Sequence, residues 1–182
     1  RQLSPLTIDG AATVLVAGAV GGFPGLNPKT DYANVEMLIY VGTNPMVSHA
    51  HNTGMFNPAV WIKAAARRGE VWTIDPLFTE TAKLSTRRIA AYPGKDYAIL
   101  AWLVREIIDG GPLEAQQPVH GLDELRAVLQ GLDRATAAEI AGVPEQDLED
   151  LLAAIRRKGK VVVETGTGIT MSAGANLTQW FA

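Results

Sequence analysis

The sequence contains no cysteine. Disulfides, thiolate metal sites and cysteine nucleophiles are therefore excluded for this chain. Long apolar runs are missing too, and none approaches the roughly 20 residues of a membrane helix. No large excess of either charge exists. Lys and Arg total 16 against 19 Asp and Glu, for a net charge of −3. That leaves too little cation for a general nucleic-acid binder, so neither a nucleic-acid partner nor a membrane segment is expected. Internal repeats, low-complexity tracts and a GK[ST] phosphate loop are also absent.

What is present fits a packed globular protein, with 47% hydrophobic and 19% charged residues. A length of 182 residues suffices for one good core, or for a domain plus part of another. The chain opens at Arg1 without an initiator Met or a signal-peptide pattern. It stops at NLTQWFA, inside an expected helix. Both ends read as cut from a longer polypeptide, and the cytoplasm is the expected compartment.

Apolar, strand-like runs alternate with helical patterns. Thr13–Val20 (TVLVAGAV) reads as a buried strand, followed by the turn-rich loop GGFPGLNP. Val35–Val41 reads as a strand buried on both faces. A helix is expected over Pro58–Arg68, with Val60, Ile62, Ala64 and Ala65 inward and Gly69 as its stop. Val71–Ile74 and Arg88–Ala91 read as further strands, separated by a short helix at Thr79–Leu84. Asp96, as N-cap, opens a helix to Asp109. Pro112–Pro118 is a polar linker. Helices follow at Leu122–Leu129, Asp133–Ala141 and Pro144–Lys158, with Pro144 as a first helical residue. Lys160–Glu164 is a last strand. The alternation predicts an α/β class, a three-layer α/β/α Rossmann-like domain with a mostly parallel sheet.

Ligands of open α/β sheets sit outside the carboxyl ends of the strands, and the candidate residues cluster there. Gly42, Thr43, Asn44 and Pro45 follow one strand. They suit a contact to a phosphate or polar ring, or an ordinary Asn-Pro turn. Asp75 and Pro76 end the next strand. Asp75 suits ribose hydroxyls, or caps its own turn. Thr79 and Thr81 are placed to donate to phosphate or to cap the short helix. Gly94 and Asp96 lie in PGKD. A carboxylate there suits guanine, whose N1–H and exocyclic amine form a two-donor edge. Gly166 and Gly168, with Gly174, form a Gly-rich turn that suits a phosphate, although a lone GxG is weak. His49, His51 and His120 read as solvated loop residues rather than metal ligands. The basic run Lys83, Arg87 and Arg88 reads as charged surface.

Together, VGTNPMVSHA, KAAARRGEVWTIDPLFTETA, PGKDYAILAWLV and VVVETGTGITMSAG resemble the molybdopterin oxidoreductases of the dimethyl-sulfoxide-reductase and formate-dehydrogenase type. The resemblance runs from about Val35 to the C-terminus and looks most like the formate-dehydrogenase-like members. It implies a large catalytic subunit whose molybdenum or tungsten is held by two molybdopterin guanine dinucleotides. Residues 1–141 would be one dinucleotide-binding domain and 142–182 the start of a second, related one. Gly42 and Asn44 would then meet the cofactor near its phosphate or pterin. Asp75 would meet the ribose or guanosine portion, Gly94 and Asp96 the guanine, and Gly166 and Gly168 the other dinucleotide. The metal-ligating residue and any iron–sulfur cysteines would lie outside this chain, so no catalytic residue is assigned. The remaining domains of the parent polypeptide and electron-transfer subunits are the implied partners.

The sequence departs from the family pattern at Leu77, where Arg is frequent, and at Ser85-Thr86, Lys95 and Met171-Ser172. Two other readings stay open. One is a structural subunit of a respiratory complex that has lost the cofactor. The other is a generic Rossmann-like nucleotide domain, such as the central domain of a thiamine-diphosphate enzyme.

Overall fold

The structure is a computed structural model, and it describes residues 4, 6–23, 29–50, 54–110 and 119–182. Four parallel strands form one sheet: β1 (Met37–Val41), β2 (Glu70–Ile74), β3 (Arg87–Ile89) and β4 (Val161–Thr165). Their spatial order is β3-β2-β1-β4. Around them lie α1 (Leu6–Asp9), α2 (Ala11–Gly21), α3 (Pro45–Ser48), α4 (Pro58–Arg68), α5 (Asp96–Asp109), α6 (Leu122–Leu129), α7 (Arg134–Ala141), α8 (Glu145–Arg157), α9 (Thr167–Thr170) and α10 (Ala175–Phe181). A 3₁₀ turn occupies Ala82–Leu84. Among the described residues no helix is long and apolar enough to cross a membrane.

The alternation of side chains along β1 builds two cores. Met37, Ile39 and Val41 face one side with Trp72, Ile74 and Ile89, packed on α5, α7 and α8 through Ile99, Leu103, Ala137, Leu148 and Leu151. Leu38 and Tyr40 face the other side with Val71, packed on Ile62 and Ala65 of α4. All five residues of β1 are buried, as a central strand between two helical layers requires. The expected three-layer α/β/α arrangement is therefore what forms.

Several expectations need correction. Thr13–Val20 is not a strand but most of α2. Its residues pack against α10, far along the chain, and Gly22 ends it in a left-handed conformation at φ 69°. An apolar run alone does not separate strand from buried helix. Of its side chains only Ala12 is buried, and Leu15 and Val20 remain 58% and 70% exposed. Val60 points to solvent rather than inward. Gly69 does end α4, but at φ −153° it makes no left-handed cap. It is needed for space, since a Cβ there would lie 1.9 Å from the Glu36 carbonyl oxygen. Pro144 is the N-cap of α8 rather than its first residue.

The expected boundary after Ala141 does not separate two sheets. β4 pairs along its whole length with β1, Met37 opposite Val161 and Val41 opposite Thr165. The Pro112–Pro118 linker and the Pro24–Pro28 part of the first loop lie outside the described residues.

Candidate functional site

The four strands point the same way, so their carboxyl ends form one edge. β1 feeds α4 on one face of the sheet, whereas β4 feeds α9 and α10, and Ile169 and Phe181 pack on the opposite core. The chain thus changes face between two neighbouring strands. In open α/β sheets that switch point opens the ligand crevice. The structure brings the predicted site residues to this edge, in four adjacent turns.

At the switch point the glycines pack on one another. Gly42 sits at φ +56°, and its N–H donates to the Ile74 carbonyl at 3.0 Å. The Gly168 N–H donates to the Gly42 carbonyl at 2.9 Å, and the Gly166 N–H to the Val41 carbonyl at 3.2 Å. A Cβ on Gly168 would lie 2.7 Å from Gly42 O, and one on Gly166 2.5 Å from Thr43 Cβ. These N–H groups are committed to the protein, so the turn does not offer them to a phosphate. The glycines let two loops touch at the crevice wall.

Asn44 is equally committed. Its Oδ1 accepts from the Thr81 hydroxyl at 2.7 Å and the Thr81 N–H at 3.2 Å, and its Nδ2 donates to Glu80 at 2.9 Å. Thr81 in turn accepts from the Met46 N–H at 3.1 Å. The side chain therefore ties the β1 turn to the segment before the 3₁₀ turn. Thr79 braces the start of the 3₁₀ turn, accepting from the Ala82 N–H at 3.1 Å, whereas the N-cap position itself is Thr81. Asn44→Ala is expected to destabilise the protein by about 1–3 kcal/mol, because buried Thr81 loses its acceptor. Thermal unfolding measures this, and a change below about 0.5 kcal/mol would show the network to be slack.

Asp75 and Asp96 behave differently. Asp75 is 9% exposed, and its Oδ1 accepts from the Leu77 N–H at 2.8 Å. Burial raises its pKa, opposed by that N–H and by the positive charge of Arg88. Pro76, next to it, is exposed.

The expectation that Asp96 caps its helix is wrong. Lys95 is the N-cap, Asp96 is the first helical residue, and no side-chain cap bond forms there. Gly94, at φ +72°, swings the chain over so that Asp96 turns inward. Its carboxylate is 4% exposed, and Oδ1 has no hydrogen-bond partner among the described residues. Burial pushes its pKa up to about 6, with the negative charge of Asp75 adding to the rise. Two buried carboxylates thus share one edge, and one holds an unused acceptor.

The loop after β4 reaches this corner. A Cβ on Gly94 would lie 3.3 Å from Ser172 Cβ, so the segment 166–174 runs from Gly42 to Gly94 and walls the crevice. His49 and His120 are exposed, and His51 lies outside the described residues. Among the described residues, no three His, Asp or Glu side chains are grouped to hold a metal ion. Sequence reasoning missed Glu80, which anchors Asn44, and the true role of Arg88, which reaches the Pro76 and Leu77 carbonyls. Neither contact has a local signal.

No family model matches the chain. An assimilatory nitrate reductase of Haloferax mediterranei is 26% identical over 93% of this chain and 24% of its own length. The assimilatory nitrate reductase catalytic subunit of Bacillus subtilis is 27% identical over 87% of this chain and 22% of its own. The chain thus spans about a quarter of the length of these relatives. Among solved structures, the acetylene hydratase of Pelobacter acetylenicus shares the fold, with a TM-score of 0.79 at 17% identity, over 97% of this chain and 24% of that one. These proteins fall within the molybdopterin oxidoreductase family whose motifs the sequence resembles.

Proposed function

We propose that this chain, built and patterned like the molybdopterin oxidoreductases of the dimethyl-sulfoxide-reductase type, is a cofactor-holding portion of the catalytic subunit of a molybdenum-dependent oxidoreductase. The observation that carries the reading is the buried, unpartnered oxygen of Asp96 at the carboxyl edge. An orphan carboxylate oxygen costs free energy unless a donor arrives. Guanine supplies two donors on one edge, so a guanine dinucleotide form of the pterin cofactor fits the residues present.

In this reading Asp96 takes the base, with Gly94 setting its direction. Asp75 takes sugar hydroxyls through the oxygen that the Leu77 N–H leaves free. Pro76 and Thr79 shape the turn beside it. Gly42, Thr43, Gly166 and Gly168 form the close-packed wall along which the cofactor lies, and Asn44 holds that wall in place. When bound, the molybdenum pterin supplies two-electron redox chemistry, and the protein supplies position and electrostatics.

The exposed apolar groove formed by Leu15, Val16 and Ala19 with Leu177 and Trp180 also supports a piece of something larger. Remaining domains of the parent polypeptide are its proposed cover. Tungsten in place of molybdenum, iron–sulfur clusters and electron-transfer subunits belong to that parent and are proposals at the same level. Because the curated relatives are nitrate reductases, nitrate is the first substrate to assay, with formate second.

The test is to express the full-length parent and measure its metal together with GMP released on acid hydrolysis. About two GMP per molybdenum or tungsten is the expected result, one per dinucleotide of a bis-dinucleotide cofactor. Metal-free, guanine-free protein from a host able to make the cofactor would move the assignment to a structural subunit.

A further inference from the structure

One cation at the crevice edge is fixed in place by hydrogen bonds to backbone carbonyls. Arg88 donates Nη2–H to the Pro76 carbonyl at 2.6 Å and Nε–H to the Leu77 carbonyl at 3.2 Å. Its guanidinium carbon lies 5.7 Å from the Phe78 ring centroid. The neighbouring Arg87 spends its charge on Asp150 at 2.9 Å. Arg88 forms no salt bridge among the described residues. Its charge is nonetheless felt at Asp75, whose pKa it pulls down against burial.

Two carbonyls orient a guanidinium without neutralising it. A planar fork held by Nε and Nη2 keeps Nη1 free to donate, and its entropy cost is already met by the protein. The turn itself offers no other cation, because Leu77 and Phe78 are apolar and exposed. An anionic group arriving beside Asp75 has Arg88 as its oriented donor.

We infer that Arg88 is the phosphate-recognising residue of this edge, taking a phosphate oxygen of a nucleotide whose base faces Asp96. The inference deepens the nucleotide reading above and rests on it. It assigns the positive charge of the β2 turn to a side chain from β3.

The experiment uses the full-length parent purified without cofactor, titrated calorimetrically with GDP and with guanosine. Wild type is expected to bind GDP about tenfold or more tightly than guanosine. Arg88→Gln retains an amide donor for the carbonyls but loses the charge. It is expected to bind GDP and guanosine alike, with guanosine affinity unchanged from wild type. A GDP advantage that survives Arg88→Gln, or that wild type never shows, overturns the inference and leaves the base reading intact. If wild type binds neither, and its holoenzyme releases no GMP, the nucleotide reading fails and carries this inference with it. If wild type binds neither but the holoenzyme does release GMP, the inference alone is overturned, because the site does not then recognise phosphate by itself.

Discussion

Replacing Asp96 with asparagine is expected to stabilise the cofactor-free protein and to strip the cofactor-bound one of guanine nucleotide. Both effects come from the same oxygen. In the folded chain the Asp96 carboxylate is buried with an unpartnered Oδ1, and its pKa rises from the ordinary 3.8 to about 6. The folded state therefore holds this proton to higher pH than the unfolded state does. Stability is greatest below about pH 4 on this account, falls as pH climbs through about 6, and is flat above. The rise corresponds to on the order of 3 kcal/mol at neutral pH, an upper figure because the buried site can relax. An asparagine side chain at this position has no charge to desolvate, so Asp96→Asn is expected to recover much of that and to lose the fall between pH 4 and 6.

An amide has only one acceptor oxygen and presents donors of its own, so it cannot receive both guanine N–H groups. Guanine nucleotide per polypeptide is expected to drop at least tenfold. Thermal unfolding of the cofactor-free protein across pH checks the first effect, and GMP release checks the second. A variant no more stable than wild type at pH 7 would show that Asp96 finds a donor. A variant that keeps its guanine would remove Asp96 from the site. A residue that destabilises the empty protein and serves the loaded one is a usual mark of a binding position.

Much of this was legible in the sequence, and the boundary of what was legible is physical. β1, α4 and α5 have strong local signals. A five-residue apolar strand ends at Gly42, a proline opens α4, and an apolar helix follows Gly94. Parallel order follows from alternating elements, and the site edge follows from parallel order.

Some of the errors trace to contact at long range and others to local backbone geometry. α2 is a helix because α10 receives it, and nothing within TVLVAGAV reports a partner some 160 residues away. Asp96 has the look of an N-cap, yet the left-handed Gly94 places it one residue later and points it inward. For Asn44 and Thr79 the sequence leaves a phosphate contact and a structural role within the protein both open, because a side chain that binds phosphate and one that braces a loop are the same chemistry. Only the distances to Thr81, Glu80 and Ala82 separate the two. The orphaned oxygen on Asp96 goes the other way, since sequence cannot show that an acceptor is unused.

The contact of Gly42 with Gly168 should be a sensitive point of the crevice wall. Gly42→Ala meets two penalties at once. Its φ of +56° is strained for any L side chain, by roughly 1–2 kcal/mol. Its Cβ would also lie 2.9 Å from Ile169 N and 3.1 Å from Gly168 C. Backbone does not yield as a side-chain tip does, so the total loss is expected to be about 3 kcal/mol or more. Gly168→Ala has no φ penalty, but its Cβ would fall 2.7 Å from Gly42 O and 2.8 Å from Gly42 Cα. It should cost about 2 kcal/mol and break the 2.9 Å hydrogen bond between the two loops.

If both losses arise from forcing the same two loops apart, they cannot add. Once one methyl has separated them, the second finds room. The double variant is expected to lose about 1 kcal/mol or more less than the sum of the singles, measured by denaturant unfolding. Full additivity would mean that each glycine is needed by its own turn and that the loops merely pass close. Under the coupled outcome the crevice wall is one object made by two strands. The cofactor content of each single variant of the full-length parent should then fall alike, although Gly42 and Gly168 follow different strands, β1 and β4.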